Sequence, residues 1–216
     1  AAQEAGFFDP AHPLHEAAFD GVSCTLCHQI GGAALGTRES FSGGYTIDTS
    51  TEPPNRAVYG PYEEPLGRPM QMHTGFVPLH GAHTGQAELC ATCHNLYTPY
   101  VDAQGNVMGE FPEQTPYTEW QNSSFGGRMP CQACHMPQAK GGVVISTMPG
   151  RLAPREPFFQ HWFVGGNAFL LTVLGDAAGD LEVTADTAHF EATRARVIEQ
   201  IGSRTATLKL EGAALE

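Results

Sequence analysis

The stretch LCATCHN at residues 89–95 holds the strongest signal in this sequence, because its core of five residues recurs twice. The core is CATCH at 90–94, and the same spacing is found in CTLCH at 24–28 and CQACH at 131–135. The three copies contain all 6 cysteines of the chain. Two cysteines three positions apart, followed at once by histidine, are the pattern that attaches a c-type haem. The sequence therefore predicts three covalently attached haem c groups.

Three other uses of paired cysteines fit this pattern less well. A disulfide framework gives no reason for a histidine after every second cysteine, and 216 residues is longer than the small secreted folds that need disulfides. A zinc site made of four cysteines would pair two CxxC segments and leave the third without a partner. A thioredoxin-like pair belongs at the start of a helix in a βαβ unit, and the sequence around the motifs does not predict that alternation.

Each motif defines the side chains that are expected to hold its haem. The thioether bonds are expected from Cys24, Cys27, Cys90, Cys93, Cys131 and Cys134. The proximal iron ligands are expected to be His28, His94 and His135. The sixth ligand then decides the function, because a second imidazole gives low-potential, low-spin iron whereas a methionine raises the potential.

Seven histidines remain for the sixth positions, since three of the 10 histidines belong to the motifs. His15 is preferred before the first motif because apolar residues follow it, and His161 lies in the apolar run FFQHWFV, where an unbonded imidazole would be costly. The other distal candidates are His12, His73, His80 and His83, and at least one of the last three is expected to ligate. His189 is a weaker candidate, since it lies beside the apolar stripe of a predicted helix.

Methionine is the rival distal ligand. The methionines near the motifs are Met70, Met72, Met129, Met136 and Met148. Met136 directly follows the third motif and emerges on the proximal side of its own haem, so it is expected to pack instead.

Glycine and proline recur throughout the chain, with 25 and 16 residues, so few long regular elements are expected. The expected fold is mainly α with much irregular loop: short helices at 16–29, 86–95 and 118–122, and a longer one capped at Thr184 or Asp186 and ending at Gly202. Residues 51–72 are expected to form a wrapping loop because five prolines interrupt them. A small hairpin is expected around AQGN at 103–106.

Two domains are expected from these patterns. Residues 1–202 form the trihaem domain, organised around its haems. Residues 203–216 form a strand or linker, because Ala206, Leu208 and Leu210 alternate with polar residues like the start of a β-rich domain.

The charge balance limits the kinds of partner that the protein is expected to bind. A net charge of −12 argues against nucleic acid and favours a redox partner with a basic docking patch, although acidity also simply keeps a protein soluble.

No apolar run in the sequence reaches the length of a membrane span. Haem c is attached outside the cytoplasm, and the first ten residues lack a basic region followed by an apolar run. A periplasmic or extracellular location is therefore expected, with the signal peptide already removed.

Three longer runs resemble the multihaem cytochrome c family: YTEWQNSSFGGRMPCQACHMP at 117–137, LHGAHTGQAELCATCHN at 79–95 and HWFVGGN at 161–167. The resemblance implies a small multihaem fold with mostly bis-histidine, six-coordinate haems, and it adds weight to His80 or His83 and to His161 as distal ligands. Related proteins often carry four or more haems and sometimes a β-sandwich. The three motifs here depart from a four-haem arrangement.

The expected function is electron transfer between redox partners, without enzyme activity. One alternative is a multihaem reductase or oxidase with one open haem, although the chain has no CxxCK motif and only two lysines, Lys140 and Lys209. The other alternative is a subunit of a cytochrome filament or of a larger redox complex, in which further cytochromes or copies of this chain would be partners.

Overall fold

The computed structural model describes residues 9–16, 21–147 and 152–204 of the chain. The chain divides into two compact units, Ala1–Pro130 and Cys131–Glu216. The predicted C-terminal strand lies outside the described residues, and the predicted boundary at residue 202 stays a prediction.

The first unit contains the first two motifs and all the named strands. Its helices are α1 (Cys24–Gln29), α2 (Gly67–Thr74), α3 (Ala87–Ala91) and α4 (Pro116–Gln121), with 3₁₀ turns at Arg38–Ser40 and Ala82–Gly85. Its strands are β1 (Arg56–Gly60), β2 (Phe76–His80), β3 (Leu96–Val101) and β4 (Val107–Gln114). The second unit contains α5 (Cys131–His135), α6 (Ala168–Asp176) and α7 (Thr187–Arg204).

The prediction of a mainly α fold is wrong, because the described chain is a mixed α/β structure with two small sheets. The main difference lies in the supposed wrapping loop at 51–72. There, β1 lies between Pro54 and Pro61, and it pairs in parallel with β2 after the crossover helix α2. Pro69 is the third residue of α2, where its missing N–H would have had no partner within the helix. The prolines therefore lie at or near the ends of these elements and do not prevent them from forming.

The hairpin predicted around AQGN is confirmed. Strands β3 and β4 are antiparallel, with Tyr100 opposite Gly109 and Val101 opposite Val107. The Asp102 carboxylate organises the turn, since its Oδ1 accepts hydrogen bonds from the backbone N–H groups of Gln104 at 2.9 Å and Asn106 at 2.8 Å. Gly105 has a φ of 85°, a left-handed conformation that suits glycine.

Helices are present at all three predicted places: α1 and α3 are shorter than the predicted 16–29 and 86–95, whereas α4 begins two residues before the predicted 118–122 and ends one residue earlier. Residues 17–20 of the first prediction lie outside the described residues. The terminal helix α7 is confirmed, and Asp186 caps it: its Oδ1 accepts from the His189 backbone N–H at 2.9 Å. That helix continues past Gly202 to Arg204, because glycine lowers helix propensity without requiring an end.

Few apolar side chains are buried within the described ranges. The buried hydrophobic residues there are Ile30, Val58, Ala87, Ala91, Tyr117, Val164 and Val197. Large apolar side chains such as Phe169 and Phe163 are 77% and 64% exposed. In the described part of the chain no helix is both long and apolar enough to cross a membrane, as the sequence predicted.

Three candidate haem attachment sites

The first site is built on the short helix α1, which begins at the first motif cysteine. The Ser23 hydroxyl caps this helix by accepting from the Leu26 backbone N–H at 3.3 Å. Cys24, Cys27 and His28 stand at positions i, i+3 and i+4, which share one face of a helix. The two thiols and the imidazole are thus presented together.

The imidazole of His28 is held by the neighbouring strand. Its Nδ1 lies 2.5 Å from the carbonyl oxygen of Tyr59 in β1. A carbonyl only accepts, so Nδ1 carries the proton and the ring lone pair is on Nε2. This is the arrangement of a metal-binding histidine whose second nitrogen is fixed by a backbone carbonyl.

The third site repeats this arrangement with different elements. His135, at the end of α5, has Nδ1 2.5 Å from the Val164 carbonyl oxygen, and the Val164 N–H donates back to the His135 carbonyl at 3.0 Å. Val164 is only 2% exposed. On the other side of the motif, the Gln200 amide of α7 donates to the Cys134 carbonyl at 3.0 Å. The motif is therefore held by two segments distant in sequence.

The second site differs at its histidine. The N–H groups of Cys93 and His94 donate to the Cys90 carbonyl at 3.2 and 2.8 Å, so the turn begun by α3 continues to the end of the motif. The Thr92 hydroxyl anchors this turn by donating to the Ser40 carbonyl at 2.6 Å. The His94 ring is exposed and makes no hydrogen bond to the described residues.

Asn95, which follows the second motif, is fully buried. Its Oδ1 accepts from the Thr118 backbone N–H at 3.4 Å and from the Thr118 hydroxyl at 3.1 Å, which ties the motif to α4. Its Nδ2 is buried and has no hydrogen-bond partner among the described residues.

All six motif cysteines are described, and none of them is in a disulfide bond. Burial raises the pKa of the Cys27 thiol, and the charge of Cys24 raises it further. Burial also raises the pKa of Cys93, with an added electrostatic contribution from Cys27. Both thiols are therefore neutral at physiological pH.

The residues present fit a haem better than an isolated metal ion. Within the described ranges, no three His, Cys, Asp or Glu side chains converge to hold a metal ion. A haem iron does not need such a cluster, because the protein supplies only its axial ligands. The paired thiols and the Nε2 lone pairs of His28 and His135 match what haem c attachment requires.

The predicted distal ligands lie in varied surroundings. His73 is exposed at the end of α2, and His80 is exposed at the end of β2. His161 is also exposed, against the expectation of an apolar setting, and its ring meets Phe163 edge-on at 5.8 Å. The run FFQHWFV buries only its last residue, Val164, whose carbonyl serves the third site.

Two further distal candidates precede the first motif. His12 and His15 are half-buried, and the His12 Nδ1 accepts from the Leu14 backbone N–H at 3.1 Å. His189 is exposed and pairs with Asp186. Which histidines ligate an iron stays a prediction.

Among the rival ligands, Met70, Met72 and Met129 are exposed, and Met136 is half-buried. Met148 lies outside the described residues.

His83 is half-buried in the first unit. Its Nε2 is 2.9 Å from the Ile30 carbonyl, and its ring meets Tyr59 at 5.1 Å. The sequence did not predict these contacts, nor the carbonyls that hold His28 and His135. Every residue type has a backbone carbonyl, so no sequence signal could have identified these acceptors.

Comparison with protein-family models, curated proteins and solved structures finds no match to this chain.

Proposed function

We propose that this protein is a trihaem c-type cytochrome that transfers electrons between redox partners outside the cytoplasm, with mostly bis-histidine haems. One observation carries the proposal. At the first and third motifs the histidine Nδ1 donates to a backbone carbonyl, which keeps the lone pair on Nε2. That tautomer is the one an iron-ligating histidine needs, and it occurs directly beside two thiols.

In this function the protein would hold the haems in place and tune their redox potentials. A bound haem would supply the one-electron redox chemistry. The carbonyls of Tyr59 and Val164 orient the imidazoles and increase their donor strength, which favours ferric iron and lowers the potential. The turn anchored by Thr92 and Asn95 holds the second motif against the rest of the first unit.

The sparse protein core also supports the proposal. Ile30, Ala87 and Ala91 are buried near the first two motifs, whereas many larger apolar side chains remain exposed. Three porphyrins held at the motifs would offer apolar surface to such side chains, and burial of that surface would stabilise the fold.

The net charge of −12 favours a partner with a basic docking surface. Since haem c is attached outside the cytoplasm, we place the protein in the periplasm or outside the cell.

The test is to produce the chain in a bacterial periplasm together with the haem attachment machinery. Mass spectrometry should give the mass of the chain plus three haems, and paramagnetic resonance of the oxidised protein should give low-spin signals alone. The variant Cys131→Ala/Cys134→Ala is the matched control, and it should lose one haem.

Absence of covalent haem from the wild-type protein would refute the proposal. A high-spin signal, or a spectral change on adding nitrite, hydroxylamine or carbon monoxide, would reject saturated ligation and indicate a reductase or oxidase instead.

A further inference from the structure

We infer that His83 is a positioning residue that holds the proximal histidine of the first haem, and that it is not an axial ligand. This inference rests on the proposed function. Three observations carry it: a hydrogen bond to the end of α1, a ring contact to β1 and the close approach of two glycines to the ring.

The hydrogen bond joins His83 to the segment that carries the first motif. The His83 Nε2–H donates to the Ile30 carbonyl at 2.9 Å. Ile30 is the C-cap residue of α1, two positions after His28, and it is 2% exposed. The bond therefore fixes the end of the helix from which the proximal imidazole projects.

The ring contact joins His83 to the residue that orients His28. The imidazole meets the Tyr59 ring edge-on, with centroids 5.1 Å apart and planes at 67°. Tyr59 is also the residue whose carbonyl accepts from the His28 Nδ1–H. His83 thus contacts both the helix that carries the proximal ligand and the strand that holds it.

Two glycines lie close to the His83 ring. A Cβ at Gly32 would lie 3.0 Å from Nδ1, and a Cβ at Gly81 would lie 2.7 Å from Cε1. The Ile30 carbonyl thus occupies Nε2, and the backbones of Gly32 and Gly81 both lie beside Nδ1, where a Cβ at either position would come within 3.1 Å. An iron at Nε2 would have to displace the Ile30 carbonyl, and an iron at Nδ1 would have to fit beside both glycines.

The consequence is a defined effect on one haem. Without His83, Ile30 loses a donor and Tyr59 loses its packing partner, so the bond between the His28 Nδ1–H and the Tyr59 carbonyl weakens. A weaker bond makes the imidazole a poorer donor, which destabilises ferric iron. The midpoint potential of the first haem then rises, while its iron stays six-coordinate.

The test compares His83→Ala and His83→Gln with the wild-type haem protein. Potentials would be measured by redox titration, with each haem assigned from the paramagnetic NMR shifts of its methyl groups. We expect three low-spin haems in both variants and a positive shift confined to the first haem in His83→Ala. We expect a smaller shift in His83→Gln, whose amide can still donate to Ile30. Ile198→Ala, at an exposed position of α7 in the second unit, is the control and should shift none.

A high-spin signal in His83→Ala would make His83 a ligand and overturn the inference, as would unchanged potentials. If His83→Ala fails to fold, Gly32→Ala tests the inference instead, because its added methyl group displaces the His83 ring without removing it. That variant should also shift the first haem alone, and unchanged potentials there would reject the inference. These outcomes need a wild-type protein with three haems; without them the proposed function fails first, and this inference with it.

Discussion

At the scale of single residues, the three motif histidines have the same sequence setting and different surroundings. His28 and His135 each donate to a carbonyl, whereas His94 lacks such an acceptor among the described residues. A fixed carbonyl polarises an imidazole more consistently than exchanging water does.

We therefore expect the haem of the second motif to have the highest midpoint potential of the three, because its proximal imidazole is the weakest donor. An NMR-monitored redox titration, with haem methyl groups assigned through their contacts to each motif, measures the order. If the second haem is instead the last to be reduced, the hydrogen bond does not control the order of potentials.

Asn95 gives a prediction on stability at the same scale. Asn95→Ala should lower the free energy of unfolding by about 1–3 kcal/mol, because the half-buried Thr118 backbone N–H and hydroxyl would both lose their acceptor. Thr118→Val is the matched control: it removes only the hydroxyl bond and should cost about 1 kcal/mol. Chemical denaturation of the haem protein measures both changes. An alanine variant as stable as the valine variant would contradict this account.

At the scale of elements, segments with a local signal were predicted and segments with a distant partner were not. The β3–β4 hairpin and α7 follow from turn residues and helical spacing within one segment. The pairing of β1 with β2 joins Tyr59 to Leu79 across a helix. No local pattern in a strand of five residues specifies such a pairing, which explains why residues 51–72 were predicted as loop.

The turn of the hairpin carries a prediction on pH. The side-chain and backbone hydrogen bonds from Asn106 lower the pKa of Asp102 below its usual 3.8. A lowered pKa means that the carboxylate stabilises the turn above pH 3.8, and that this contribution is lost as the pH falls through the lower folded value. The Asn106 amide resonances should report the loss in an NMR titration. Asp102→Asn keeps an acceptor without a charge, so its turn should not titrate; an identical titration in that variant would show that another group is responsible.

At the scale of the whole molecule, net charge affects how fast the protein associates with a redox partner. With 23 acidic and 11 basic residues, the protein should reduce a small basic redox protein quickly at low salt and more slowly as salt is added, because ions screen the attraction. Stopped-flow spectroscopy at increasing ionic strength measures the effect. Reduction of an uncharged mediator is the control and should stay constant. A rate with the basic protein that is equally insensitive to salt would exclude electrostatic steering.

Local sequence was sufficient to locate the three motifs, their thiols and their histidines, because CxxCH places all its groups within five residues. The same local information located the hairpin and the terminal helix. The partners of the motif histidines were settled by tertiary structure, because Tyr59 and Val164 act through carbonyls that every residue type possesses. His83 was one distal candidate among several in the sequence. Its contacts with Ile30, Tyr59 and two glycines arise only when three separate segments fold together, and these contacts set it apart from the exposed histidines.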